Sequence, residues 1–185
     1  GSAFSGSSSD SRRALLGRRG TGCQSTDEHI DEVWHLRDLD LDGGDVLMVA
    51  GSTGLAPLRT LIMDLARFGV NPRVHLFFGA RYPCELYDLR TLWEIASTNP
   101  WLSVSPVSEY PNDPPWVVDY PDVQPPRGLH VRQTGRLPDV VTRFGGWGDR
   151  QILICGRPEM VRATRAALLA KGAPADRIQH DPLGA

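Results

Sequence analysis

The stretch that decides the fold is VLMVAGSTGLAP, residues 46–57. Its first five residues are apolar and lie between glycines, which predicts a buried β-strand. Apolar residues then recur at helical spacing, and Gly69 stands where helices commonly end. These helical positions are Leu58, Leu61, Ile62, Leu65 and Phe68. The stretch therefore predicts a strand, a glycine-containing loop and a helix.

The loop between this strand and helix is a candidate phosphate site. Gly51 and Gly54 lack Cβ atoms, so a diphosphate could approach the backbone N–H groups at the positive end of the helix. Thr53 adds a hydroxyl donor. The spacing matches neither a P-loop nor G-x-G-x-x-G. Because a glycine pair after a strand is also typical of tight turns without a ligand, the loop alone leaves both interpretations open.

Composition narrows the class of protein. The chain has 185 residues, 41% of them hydrophobic, which is enough for one core. Its formal net charge of −2 offers no basic field for nucleic acid. Cys23, Cys84 and Cys155 lack the spacing of a disulfide framework or a zinc site, so we expect no metal. No run has transmembrane length, and no signal peptide is recognisable, so we expect a soluble, cytoplasmic protein.

Domain organisation follows from shifts in composition. Residues 1–24 are rich in Gly, Ser and Arg and are predicted to be a disordered tag or linker. Residues 25–43 are predicted to be a linker or a short helix, and residues 44–185 the folded domain. Within that domain, residues 111–133 are rich in proline and predict a long loop without regular structure. That loop is a lid, a docking surface or a simple insertion.

Four further strands are predicted, at residues 73–79, 101–107, 151–155 and 177–180. Helices are predicted between them. One helix is predicted at residues 86–97, with Tyr87 and Asp88 in its first turn. A short helix is predicted around Pro138, after an approach that begins at Thr134, and another helix follows Pro158. This alternation predicts an α/β fold, a five-stranded parallel doubly wound (Rossmann-like) sheet with helices on both faces. The expected strand order is 3-2-1-4-5.

Ligands of such sheets bind at the carboxyl ends of the strands. The candidate site therefore combines four strand exits, at residues 51–57, 81, 108–110 and 155–160. Arg81 stands where the usual dinucleotide fold has an acid; it is a phosphate or ribose clamp, or an exposed arginine with a local ion pair. His75 lies inside its strand, and we interpret it as a core or surface residue rather than a catalyst.

Two stretches resemble the ferredoxin–NADP reductase superfamily. AGSTGLAPL, residues 50–58, resembles its A-G-G-T-G-x-A-P-L pyrophosphate loop, and CGRPEMV, residues 155–161, resembles its C-G-P-P-x-M nicotinamide loop. The resemblance extends over roughly residues 44–182. Within the superfamily, the sequences of residues 135–141 and 178–183 are most similar to those of actinobacterial flavohaemoglobin-like reductases.

The resemblance implies the nicotinamide-binding domain of a flavin-dependent oxidoreductase, which positions NAD(P)H for hydride transfer to FAD. The implied diphosphate contacts are Gly51, Ser52, Thr53, Gly54, Ala56 and Pro57. The implied ribose contacts are Arg81, Ser108 and Glu109. The implied nicotinamide loop consists of Cys155, Gly156, Arg157, Pro158 and Met160, with Met160 bracing it. Cys155 would act in catalysis through its position by the nicotinamide, not as a covalent catalyst. Without the motif, a small buried thiol that ends a strand is the competing interpretation.

Departures from the family pattern refine these expectations. Ser52 replaces a glycine and Arg157 replaces the first proline of the nicotinamide loop. No R-x-Y-S or R-x-Y-T flavin motif is present, and the sequence before residue 44 is too short for a flavin barrel. We therefore expect FAD in a domain or partner absent from this chain, which alone would be inactive. We favour NADH over NADPH, because the Glu109 carboxylate would repel a 2′-phosphate.

A second class of function remains open. The same fold could serve as a non-catalytic nucleotide-sensing or protein-docking module. A nucleotide-binding transferase is less favoured, since the sequence offers no base, nucleophile or metal cluster for it. The final electron acceptor is not indicated by any motif.

Overall fold

The computed structural model describes residues 34, 36–69, 72–118, 125 and 131–180. All of them belong to one compact unit, Glu32–Ala185. The expectations for the tail at residues 1–24, and for a helix over residues 25–33, lie outside the described residues.

Strands and helices alternate along the chain. The strands are β1 (Val46–Gly51), β2 (Val74–Ala80), β3 (Leu102–Ser108), β4 (Gln133–Thr134), β5 (Gln151–Cys155) and β6 (Ile178–His180). The helices are α1 (Leu55–Phe68), α2 (Leu89–Thr98), α3 (Leu137–Phe144) and α4 (Pro158–Ala170). Short 3₁₀ turns occupy Leu36–Asp38, Ser52–Gly54, Pro83–Glu85 and Ala175–Arg177. No helix in the described part of the chain is long and apolar enough to cross a membrane.

All strand pairs of the sheet are parallel, as predicted, and the order is β4-β3-β2-β1-β5-β6. The predicted number of five strands is wrong, because Gln133–Thr134 pairs with Val107–Ser108 as a sixth strand. The order of the whole sheet therefore differs from the predicted one by the strand added beyond β3. A strand of two residues is too short to produce an alternating sequence pattern. Its pairing is extended by the Gly135 N–H, which donates to the Ser108 carbonyl at 3.0 Å.

Helices cover both faces of the sheet, as predicted. The first core contains buried residues of α1 and α2 with Val46, Met48 and Ala50 of β1. The second contains Leu47 and Val49 with buried residues of α3 and α4. Successive β1 side chains thus alternate between the two cores. Leu39 is buried in the first core and Trp34 packs against it, so packed structure begins before residue 44. The domain boundaries themselves stay a prediction.

Several local predictions need correction. Tyr87 and Asp88 are not in the first turn of α2; the helix begins at Leu89, and Asp88 precedes it in the left-handed conformation, with φ of 60°. Phe68 is 65% exposed despite its helical spacing, because it lies in the last turn of α1. Thr134 belongs to β4 and not to the approach to α3. In the predicted loop at residues 111–133, the described residues 111–118, 125 and 131–132 form neither helix nor strand. Its last residue, Gln133, belongs to strand β4.

Candidate functional site

A cleft of about 540 Å³ crosses the carboxyl edge of the sheet. Its walls are Gly51, Ser52, Gly79, Ala80, Arg81, Glu85, Val107, Glu109, Leu137, Arg157 and Met160. These residues follow β1, β2, β3 and β5 or lie on the adjoining helices α3 and α4. Strand β1 has β2 as its neighbour on one side and β5 as its neighbour on the other. The cleft therefore lies at the switch in strand order, where open α/β sheets bind ligands.

The loop from β1 into α1 is a tight 3₁₀ turn. Ser52 is left-handed, with φ of 51°, a conformation uncommon outside glycine. Its carbonyl accepts a hydrogen bond from the Tyr87 hydroxyl at 3.3 Å. Helix α1 begins directly after Gly54 and has 14 residues, so its first backbone N–H groups lie at this turn. Such amides and the helix dipole favour an anion.

This turn packs against the loop that follows β5. A Cβ on Gly54 would overlap the carbonyl oxygen of Cys155, and one on Gly156 would overlap the Cε of Met160. A Cβ on Gly51 would lie 2.6 Å from the same Cε. The Met160 sulfur also accepts a hydrogen bond from the Thr164 hydroxyl at 3.2 Å. We call Gly51, Gly54, Cys155, Gly156 and Met160 the loop junction.

The other end of the cleft is an aromatic rim formed by Arg81, Tyr82, Glu109 and Tyr110. The two tyrosine rings stack with centroids 5.0 Å apart. The Arg81 guanidinium carbon lies 5.6 Å from the Tyr82 centroid and 5.8 Å from that of Tyr110. A hydrogen bond to the Tyr110 side chain, with the charges of both tyrosines, raises the pKa of Arg81. Arg81 is therefore a permanent cation held against the rim.

Backbone contacts fix the rim to the sheet. The Glu109 N–H donates to the Ala80 carbonyl at 3.1 Å, and the Tyr110 N–H donates to the Arg81 carbonyl at 3.0 Å. The Glu85 carboxylate accepts the N–H groups of Arg81 and Tyr82, at 3.0 and 3.1 Å. Glu85 thus holds the loop after β2 in place.

The structure brings part of the predicted site together. Gly51, Ser52, Arg81, Glu109, Arg157 and Met160 line the cleft. Thr53 is exposed in the 3₁₀ turn before α1, Ala56 is exposed and Pro57 half-buried in the first turn of α1, and Pro158 opens α4; none of the four is part of the cleft wall. The remaining predicted residues, Gly54, Ser108, Cys155 and Gly156, do not contribute to the cleft wall.

For two of these residues, Gly54 and Ser108, the structure gives the physical reason why they are not part of the cleft wall. Gly54 is buried because the Cys155 peptide fills the space where a Cβ would lie, so a contact with a ligand there would be through its backbone and stays a prediction. Ser108 is fully buried, and its hydroxyl has no hydrogen-bond partner among the residues that the structure describes. Neighbouring residues of a strand face opposite sides, and in β3 it is Val107 that faces the cleft. The Ser108 side chain is therefore turned away from the expected ribose position.

Five residues of the cleft were missed from the sequence: Gly79, Ala80, Glu85, Val107 and Leu137. Gly79 and Ala80 directly precede Arg81, so the same strand exit could have identified them. A Cβ on Gly79 would lie 2.7 Å from Leu137 Cδ2, a packing contact between residues 58 positions apart. No feature of the sequence indicated that Glu85 would accept backbone N–H groups, because these contacts depend on how the loop after β2 turns.

The side chains of the cleft wall are suited to the recognition of a charged ligand. They include neither histidine nor cysteine, and no cluster of metal-ligating side chains occurs among the described residues. Burial raises the pKa of the Tyr87 phenol, and burial with a hydrogen bond to Asp113 raises that of the Cys84 thiol. Both groups are therefore neutral near pH 7. What the cleft offers is two arginines, two carboxylates, a hydroxyl and backbone N–H groups.

Comparison with known proteins gives a consistent match. The family model described as "oxidoreductase NAD-binding domain" matches residues 48–166. The reductase component of propane 2-monooxygenase from Rhodococcus jostii (strain RHA1) is 30% identical over 74% of this chain and 34% of its own length. Reductase component 2 of terephthalate 1,2-dioxygenase from Comamonas is 32% identical over 77% of this chain and 40% of its own. The chain thus spans about a third to two fifths of these relatives.

Solved structures show the same arrangement. The cytochrome P450 reductase GcoB from Amycolatopsis superimposes with a TM-score of 0.62 and 28% identity, covering 83% of this chain and 41% of that one. A flavohaemoglobin from Malassezia yamatoensis, 15% identical with a TM-score of 0.55, covers 78% of this chain and 33% of that one. The latter likeness concerns the fold alone.

Proposed function

The chain belongs to the oxidoreductase NAD-binding domain family, and from this premise we propose that it binds NADH and positions the nicotinamide for hydride transfer to FAD. The predicted resemblance to the ferredoxin–NADP reductase superfamily is confirmed at this level. The finer placement beside actinobacterial flavohaemoglobin-like reductases stays a prediction, as does the cytoplasmic location.

The observation that carries the proposal is the cleft across the β1–β5 switch point. It has one cation that follows β2, Arg81, and one that follows β5, Arg157, and the turn that starts α1 follows β1, the strand between them. A dinucleotide is an elongated ligand with a central diphosphate, so this distribution of donors fits it. The volume of about 540 Å³ also falls in the range of small-molecule sites.

In this proposal the residues of the chain bind and orient. The amides at the start of α1, with the hydroxyls of Ser52 and Thr53, hold the diphosphate. Arg81 and Glu109 flank the adenosine ribose, and the loop after β5 receives the nicotinamide. The bound nicotinamide supplies the hydride, so the protein contributes position and electrostatics. Cys155 is only 2% exposed, and we assign it a positioning role in its loop, with no covalent chemistry.

The preference for NADH rests on the rim. Glu109 lines the cleft there, and its carboxylate would repel a 2′-phosphate. Glu109 also lies close enough to Arg81 to interact with its charge, so the carboxylate partly offsets the cation that would attract such a phosphate. Together these contacts favour a ribose with a free hydroxyl.

FAD and the electron acceptor are assigned to partners. The matched relatives are named as reductase components of oxygenase systems, and this chain spans only part of their length. We infer that FAD is bound by another domain or subunit, which passes electrons to a protein acceptor. Alone, the domain would bind NADH without turning it over.

A titration of the isotope-labelled chain with NADH and NADPH tests the proposal. We expect amide shifts at Gly51, Ser52, Arg81, Glu109 and the first turn of α4, with tighter binding of NADH. No shift at about 1 mM of either dinucleotide, a concentration that detects even weak sites, would contradict it. That result would favour the docking-module alternative.

A further inference from the structure

Arg157 is placed where a cation is electrostatically unfavourable. It is the N-cap of α4, with φ of −63° and ψ of 146°, so it lies at the positive end of the helix dipole. The acid in the first turn, Glu159, lies 3.9 Å from Arg162 instead. Where the superfamily motif has proline, this chain therefore has an exposed arginine beside a positive helix end.

Two other arginines near the cleft have partners. Arg59 of α1 forms an ion pair with Asp88, and Arg81 lies against the tyrosines of the aromatic rim. For the Arg157 guanidinium, the described residues provide neither an ion pair nor a side-chain hydrogen bond. Its side chain lines the cleft together with Gly51 and Met160. The charge is thus available to a ligand in the cleft.

The β1–α1 turn itself carries no basic side chain. Residues 51–58, which form the β1–α1 turn, contain neither lysine nor arginine. The turn offers dipoles and hydroxyls, but a diphosphate carries two negative charges. An arginine is well suited to complete such a site, since its planar guanidinium binds phosphate oxygens in pairs.

We propose that Arg157 binds the phosphate on the nicotinamide half of the dinucleotide, at the opposite end of the cleft from Arg81. The inference rests on the proposed function. A bound anion would balance both the guanidinium and the positive end of α4. Affinity for the dinucleotide is thereby gained at a position where the free protein is slightly destabilised.

Three variants of the full chain test this assignment: Arg157→Gln, Arg157→Lys and, as a control, Arg162→Gln. The control removes the same charge from the same helix at a side chain that is 64% exposed and does not line the cleft. Dissociation constants are measured for NADH and ADP-ribose by calorimetry, and for AMP by amide-shift titration. The melting temperature of each variant is recorded as well.

We expect Arg157→Gln to weaken NADH and ADP-ribose about tenfold, the scale of one charge-assisted hydrogen bond, and to leave AMP unchanged. Arg157→Lys should recover most of the affinity. Arg162→Gln should bind all three ligands like the wild type. The melting temperature of Arg157→Gln should stay the same or rise, because removing a cation from this helix end relieves repulsion.

Equal effects of Arg157→Gln and Arg162→Gln would overturn the inference, and so would an equal loss of AMP binding or a fall in melting temperature that accompanies lost affinity. Wild-type binding of NADH that Arg157→Gln leaves intact overturns this inference alone. A wild-type chain that binds neither NADH nor ADP-ribose overturns the proposed function together with it.

Discussion

The loop junction and the aromatic rim lie at opposite ends of one cleft, yet they are constructed in different ways. At the loop junction, backbone atoms of two loops touch at glycines, and the Cβ positions of Gly54 and Gly156 are already filled by protein atoms. At the aromatic rim, Arg81, Glu109 and Tyr110 are exposed side chains on a backbone fixed by the sheet. The loop junction therefore fixes the positions of the two loops, whereas the charged side chains of the aromatic rim can be replaced without changing the backbone.

The largest effect should come from adding one carbon to the loop junction. Gly54→Ala would place a methyl group on the Cys155 peptide, which cannot move without shifting β5. We expect a loss of about 3 kcal/mol in the free energy of unfolding. Gly51→Ala is the matched control, because its methyl group meets only the flexible end of Met160, 2.6 Å away. Urea unfolding of both variants measures the difference, and equal losses would contradict the distinction between the two glycines.

A charge reversal at the aromatic rim should change specificity without changing the fold. Glu109→Arg replaces the repulsive carboxylate by a cation, so we expect NADPH affinity relative to NADH to rise about tenfold, or about 1.4 kcal/mol. The free energy of unfolding should stay within about 0.5 kcal/mol of the wild type. Glu94→Arg, at an exposed position of helix α2, controls for the change in net charge. If both variants alter the affinity ratio alike, the rim does not set specificity.

A smaller effect is expected where the β1–α1 turn is strained. Ser52 is left-handed, so Ser52→Gly should stabilise the fold by about 1 kcal/mol. The reverse change at Gly69, which has φ of +69° and no atom within 4 Å of a Cβ, should cost about the same. Thermal unfolding of both variants gives the comparison. Absence of a gain for Ser52→Gly would show that the loop junction, not local strain, determines the stability of this turn.

The smallest expected effect concerns a thiol near the rim. Burial and a hydrogen bond to Asp113 raise the pKa of Cys84, so its reactive thiolate is scarcer at a given pH than in a free cysteine. We expect Cys84 to react more slowly with iodoacetamide near pH 8, and Asp113→Asn to accelerate the reaction. A raised folded-state pKa also means that the stability contributed by the neutral thiol is lost as pH rises through that pKa. Peptide mass spectrometry gives the rate at Cys84, and a rate equal to that of a free cysteine would refute the expectation.

Much of the fold was predictable because its signals are local. The apolar run of β1, the helical spacing of α1 and the glycine that ends it lie within 24 residues, Val46–Gly69. Likewise β5 has the predicted bounds, Gln151–Cys155. For the site, both loop motifs named residues that line the cleft, among them Ser52 and Met160. These predictions needed only periodicity and the rule that parallel strands expose their carboxyl ends together.

The sequence by itself determined that this is a parallel α/β domain with two loops that resemble those of nicotinamide-binding domains. Only the tertiary structure decided that β4 adds a sixth strand, that Val107 and not Ser108 faces the cleft, and that Gly54 meets the Cys155 peptide about 100 residues away. Periodicity records which side of an element is buried, because burial acts on each residue separately. Contacts between distant residues depend on strand register and on the turns that carry the chain between them, and neither is encoded in any short window of sequence.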